Sequence, residues 1–145
     1  MFSKPSMLTR ITVAKLIGFL LGAIGFFAAP AFGVDDIKLR IGILFWYVAV
    51  GAFIGMAGVF TWHPMIKMKM PWWFMGPWIG AWMNLILVLI AWDVIAPLMA
   101  ANPVWGMTSP WWGVVEGGIV GLLIGGLATL FGGEGPATAR VLEPS

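Results

Sequence analysis

GVVEGGIVGLLIGGLATLF, residues 113–131, decides the fold. Glu116 is the one ionisable residue in it. An α-helix needs about 20 mostly apolar residues to cross about 30 Å of hydrocarbon, and this stretch has that length and character. Three other stretches read the same way: 16–34, 41–62 and 74–99. The connections at 35–40, 63–73 and 100–112 are short, which makes successive helices antiparallel neighbours. The expectation is an all-α integral membrane protein with four antiparallel transmembrane helices in a compact bundle, one domain over residues 1–145.

Composition agrees. The chain of 145 residues is 61% hydrophobic and 10% charged, with a mean hydropathy of +0.97. A soluble domain is about 25% charged, so too little charge is present to coat a soluble surface. This excludes a disordered tail, a nucleic-acid module and a cytosolic enzyme. The absence of cysteine excludes disulfides, thiol catalysis and Cys-ligated metal.

Basic residues in short loops mark the cytoplasmic side. Lys4, Arg10, Lys15, Lys67, Lys69 and Arg140 fall on one side, against Lys38 and Arg40 on the other. That count puts both termini in the cytoplasm and the chain in an inner (plasma) membrane, as a multi-pass protein. Tryptophan favours headgroup level. Trp62, Trp72 and Trp73 are expected at the inner boundary, and Trp105, Trp111 and Trp112 at the outer one. The Pro-Trp-Trp repeat at 71–73 and 110–112 reads as a helix start, with Ser109 as an N-cap. A rival reading takes the basic residues before the first span, and Ala29-Pro30-Ala31 after it, as a cleavable signal peptide. Three spans would then remain.

Glycine spacing points to close helix packing. Gly113, Gly117, Gly121 and Gly125 recur every four residues, while Gly18/Gly22, Gly51/Gly55 and Gly76/Gly80 give the other spans one pair each. Small residues at this spacing let helix backbones approach in lipid, where association depends on packing. The row either holds the chain's own helices together or mates with another subunit. Asn84 lies on the Gly76/Gly80 face, where its amide is expected to hydrogen-bond across a helix interface.

Two acids, Asp93 and Glu116, enter the expected spans. Counting from Trp73 at about 1.5 Å per residue puts Asp93 about 30 Å along its helix, and Glu116 lies about 6 Å beyond Trp112. Both are expected near the outer surface. Lys38 or Arg40 caps them in one reading, a proton or cation site forms there in a second, and both simply reach outer water in a third. His63 reads as a wetted helix-end residue, and the methionines as lipid-facing filler. One histidine, one tyrosine, no cysteine and no Gly-x-Ser-x-Gly give enzymatic catalysis no support. No metal or cofactor is expected.

The leading functional expectation is a structural or accessory subunit. It would pack through glycine-rich faces at Gly76, Gly80, Asn84, Gly113, Gly117, Gly121 and Gly125 into a homo-oligomer or a larger membrane complex. Its partners are then the lipid bilayer and integral membrane proteins, not nucleic acid. The alternative is a small proton- or cation-coupled transporter or channel using Asp93 and Glu116. A weaker option is a lipophilic-ligand binder using the Trp78/Trp82 stripe.

Overall fold

The computed structural model describes residues 5–104 and 106–139. Five α-helices occur among them: α1 (Met7–Ala28), α2 (Ile37–Ala57), α3 (Trp72–Ile90), α4 (Trp92–Ala101) and α5 (Trp112–Gly132). A 3-10 turn, Ala29–Phe32, extends α1. With that turn included, α1, α2, α3 and α5 are long and apolar enough to cross a membrane. A two-stranded hairpin, β1 (Trp62–His63) with β2 (Met68–Lys69), joins α2 to α3. Lys4, Trp105 and Arg140, which entered the orientation and anchoring expectations, lie outside the described residues.

Local chemistry sets the helix ends. The Ser6 hydroxyl accepts the Thr9 amide at 3.3 Å, so α1 begins at Met7, nine residues before the expected span. The Asp36 carboxylate does the same for Lys38 at 2.9 Å, starting α2 four residues early. α2 stops at Ala57, with Gly58 as its cap, and residues 62–63 belong to the hairpin. At α5 the Ser109 side chain makes no cap; its backbone carbonyl accepts the Trp112 amide at 3.1 Å.

The expected span at 74–99 is corrected to two helices that meet at Ala91 (φ −105°, ψ 23°). The 19 residues of α3 rise about 28 Å at 1.5 Å each, nearly the full hydrocarbon thickness. Beyond that point the backbone is free to turn, and Trp92 and Asp93 follow immediately. The Trp92 ring lies 5.4 Å from that of Trp111, and the Asn102 amide donates to the Phe32 carbonyl at 3.0 Å. α4 is thereby tied at one end to the start of α5 and at the other to the end of the α1 extension.

The long helices pack as two tight pairs, α1 with α2 and α3 with α5. A methyl group on Gly22 would stand 2.7 Å from the Leu44 carbonyl oxygen, and one on Gly51 would stand 2.9 Å from the Ala14 carbonyl carbon. In the other pair, a methyl on Gly121 would stand 2.7 Å from the Gly76 carbonyl carbon. Only glycine permits backbones this close. A core of Ala14, Val50, Ile54, Val120, Ile124 and Ala128 joins the pairs. Three backbone groups gather the ends of one side: Ser6 N–H donates to Gly132 O (2.9 Å), Gly135 N–H to Gly58 O (2.8 Å), and Trp72 N–H to the Glu134 carboxylate (3.1 Å). We call this the proximal end and the opposite one, with α4, the distal end.

Candidate functional site

Two polar constellations link the helix pairs. The first lies toward the distal end and begins with Asn84, on the same face of α3 as Gly76 and Gly80. Its amide nitrogen donates to the Gly113 carbonyl at 2.9 Å and to Glu116 Oε2 at 2.8 Å. Its amide oxygen accepts the Trp46 indole N–H at 3.0 Å. Glu116 Oε1 accepts the Tyr47 hydroxyl in a short bond. Four side chains from α2, α3 and α5 therefore form one connected network. Asn84 is buried at its centre, while Glu116 lies at an edge with an exposed side.

This arrangement follows from the glycine seam. Gly117 sits one residue beyond Glu116, and a methyl there would stand 2.6 Å from Asn84 Cβ. The missing side chain at Gly117 is what lets Asn84 reach across to α5. Gly113, one turn earlier, supplies a carbonyl, and a methyl on it would stand 3.1 Å from Val88 Cγ2. Gly80 and Gly121 hold the α3 and α5 backbones together, and a methyl on Gly125 would stand 3.3 Å from the Trp72 carbonyl oxygen. The residues expected as an association face thus meet each other within the chain.

Asp93 does not join this network. It lies exposed in the first turn of α4, and among the described residues no hydrogen bond or ion pair reaches its side chain. Nor do Lys38 or Arg40 cap Glu116. Arg40 instead donates from Nε to the Phe26 carbonyl at 2.9 Å, with its guanidinium carbon 4.4 Å from the Phe26 ring centroid. The pairing of both acids with loop cations is corrected on that geometry: α2 and α3 supply Glu116 with neutral donors, and Asp93 stands exposed on α4.

The second constellation is at the proximal end. Arg10, expected in a cytoplasmic flank, is inside α1 and almost fully buried, at 1% exposure. Its Nε donates to Gly55 O at 3.0 Å, and one terminal nitrogen donates to Thr129 Oγ1 at 2.7 Å and, in a short bond, to Gly133 O. Gly55 and Gly133 stand at the ends of α2 and α5, where the last carbonyls of a helix lack intrahelical partners and carry partial negative charge. The guanidinium therefore caps two helices at once. Its planar fork of donors suits this better than an ammonium. Gly58 leaves the space in which the guanidinium lies, and Gly132 gives α1 room to approach, since a methyl there would stand 2.6 Å from Arg10 N.

Sequence reasoning missed Trp46, Tyr47 and Arg10. Arg10 had a signal: Ser6, Arg10, Ala14, Gly18 and Gly22 recur every four residues, and the last four are the buried residues of α1. The aromatic pair had none, since hydropathy and spacing do not say which partner a Trp N–H or Tyr O–H will find.

Elsewhere, His63 Nδ1 accepts the Ile66 amide at 3.3 Å and shapes the hairpin turn. Among the described residues no group of three His, Asp or Glu comes together to hold a metal ion. The rings of Phe74, Trp78 and Trp82 stack along α3, with centroids 6.0 and 6.3 Å apart. Trp78 and Trp82 border an apolar groove of about 300 Å³ that also includes Phe53 and Met83. Comparison with protein-family models, curated proteins and solved structures finds no match for this chain.

Proposed function

We propose that this is a small multi-pass membrane protein with a structural or accessory role, a rigid glycine-packed body associating with integral membrane proteins or with further copies of itself. One observation carries the reading. The buried polar side chains Arg10, Asn84 and Thr138 all spend their hydrogen bonds on the chain's own groups, and among the described residues no buried polar atom lacks a partner. A carrier based on Asp93 and Glu116 has less support, because one acid stands outside the network that holds the other.

The glycine rows are engaged between α3 and α5, so association falls to outward faces such as the aromatic ridge of α3. The basic hairpin residues Lys67 and Lys69 favour a cytoplasmic proximal end in an inner (plasma) membrane. Native mass spectrometry after gentle extraction tests the proposal, with crosslinking in native membranes as its companion. The expected result is a discrete oligomer or a retained membrane-protein companion. A lone monomer in both experiments overturns it.

A further inference from the structure

We propose that Glu116 is the seat for the ammonium group of an amphiphile drawn from the surrounding bilayer. This stands apart from the accessory role: it concerns what one carboxylate binds, whatever the body associates with.

Three observations carry it. Among the described residues Glu116 has no cation for a partner. Its contacts are the neutral donors Tyr47 and Asn84, one on each oxygen. An ionised carboxylate offers about four lone-pair sites, so about two remain, and the residue keeps an exposed side. Depth is the second. Glu116 is four residues into α5 from Trp112, about 6 Å along the axis. That is one helical turn from the distal end, within reach of a headgroup. The third is the aromatic surround. Trp112 lies one turn earlier on the same helix face and is 46% exposed, and Tyr47 reaches the carboxylate from α2 through its hydroxyl.

These features select among cations. A hard metal ion takes six or more oxygens, and beside Glu116 the network offers few others, Asn84 Oδ1 and Gly113 O, each already accepting a side-chain donor. An ammonium needs only a few acceptors and gains from aromatic faces. The helices beside Glu116 are apolar outside this cluster, which suits a ligand whose remainder is hydrocarbon. A phospholipid with a primary amine and a free single-chain amine share this chemistry.

The full-length protein in a mild detergent tests the idea. It is offered phosphatidylethanolamine and phosphatidylcholine together, and retained lipid is counted by native mass spectrometry. Wild type is expected to prefer the primary amine by about tenfold. Glu116→Gln, which matches the shape of the side chain and keeps one of its two acceptor oxygens, is expected to lose that preference, and Asp93→Asn to keep it. Dodecylammonium is expected to displace the lipid and to raise the thermal unfolding temperature of wild type, while dodecanol does neither. Dodecylammonium binding without phosphatidylethanolamine retention identifies a free amine as the ligand and upholds the seat. Unchanged selectivity in a folded Glu116→Gln overturns the proposal. So does equal action of dodecanol and dodecylammonium on wild type, a result that does not depend on any variant folding.

Discussion

Replacing Gly80 by alanine tests the architecture most directly. The added methyl would overlap the Gly117 carbonyl oxygen and would stand 3.0 Å from both Gly117 C and Gly121 Cα. Carbon atoms in contact prefer about 3.5–4.0 Å, so α3 and α5 must separate by at least about 0.5–1 Å, and the overlapped oxygen demands more. Every obstructing atom is backbone, and no side-chain rotation relieves the clash. Overpacking of a close-packed interior costs about 1–3 kcal/mol, and the upper half of that range applies because a whole seam is opened. A loss of about 2 kcal/mol lowers the folded-to-unfolded ratio about thirtyfold. Gly118→Ala is the control on the facing helix, since a methyl there meets nothing closer than 3.9 Å. Combining Gly80→Ala with Gly117→Ala should cost less than the sum, because both methyls press on one interhelical separation. Reversible unfolding in mixed micelles, followed by circular dichroism against rising dodecyl sulfate, measures wild type, the three single variants and the double variant. Gly80→Ala matching Gly118→Ala would refute the close approach and the two-pair architecture with it.

The remaining expectations concern the polar groups. Arg10→Met leaves the Gly55 and Gly133 carbonyls without their side-chain donor, at about 1–3 kcal/mol for each buried group left unsatisfied; Arg10→Lys should fall between it and wild type in the same unfolding assay. Asn84→Ala strands the Trp46 indole N–H and removes a donor from Glu116, so a loss of about 2 kcal/mol is expected. Its coupling to Glu116→Gln should be non-additive in a double-mutant cycle. Glu134→Ala removes the acceptor of the Trp72 amide at the start of α3 and should cost about 1 kcal/mol, with Glu134→Gln nearer neutral. Proton or cation flux into proteoliposomes should be equal for wild type and a Glu116→Gln/Asp93→Asn double variant; faster flux in wild type would favour a carrier.

The spans were legible to different degrees, for physical reasons. α5 lies within one residue of its expected ends because a glycine and a tryptophan mark them in an otherwise apolar run. The break at Ala91 was invisible, since residues 85–101 are apolar on both sides of it apart from Asp93, and hydropathy carries no record of direction. The glycine periodicity was readable, but its mate was not: a four-residue spacing says that a backbone approaches, never which one. Arg10 misled because a cation before an apolar run normally marks a flank. Its true partners, the ends of α2 and α5, come into reach only once four helix ends are assembled. Tyr47 and Trp46 belong to the same class, their roles set by where Asn84 and Glu116 arrive.

The placement of the two buried constellations explains how so few charges suffice. In lipid, apolar contact alone discriminates weakly between one register of two helices and another, because the tails are as apolar as the side chains. Glycine seams bring backbones together but remain compatible with sliding by a turn, since their rows repeat every four residues. Directional bonds remove that freedom. At the distal side Asn84 reads α2 and α5 together, accepting from Trp46 and donating to Gly113 and Glu116. At the proximal side Arg10 ties α1 to the ends of α2 and α5. The signs also match the helix dipoles: α5 carries an acid near its N-terminal turn and receives a cation at its C-terminal one. A slip of one turn in any of these helices would strand several of these bonds in hydrocarbon, so the register rests on two charged groups at opposite ends that never meet.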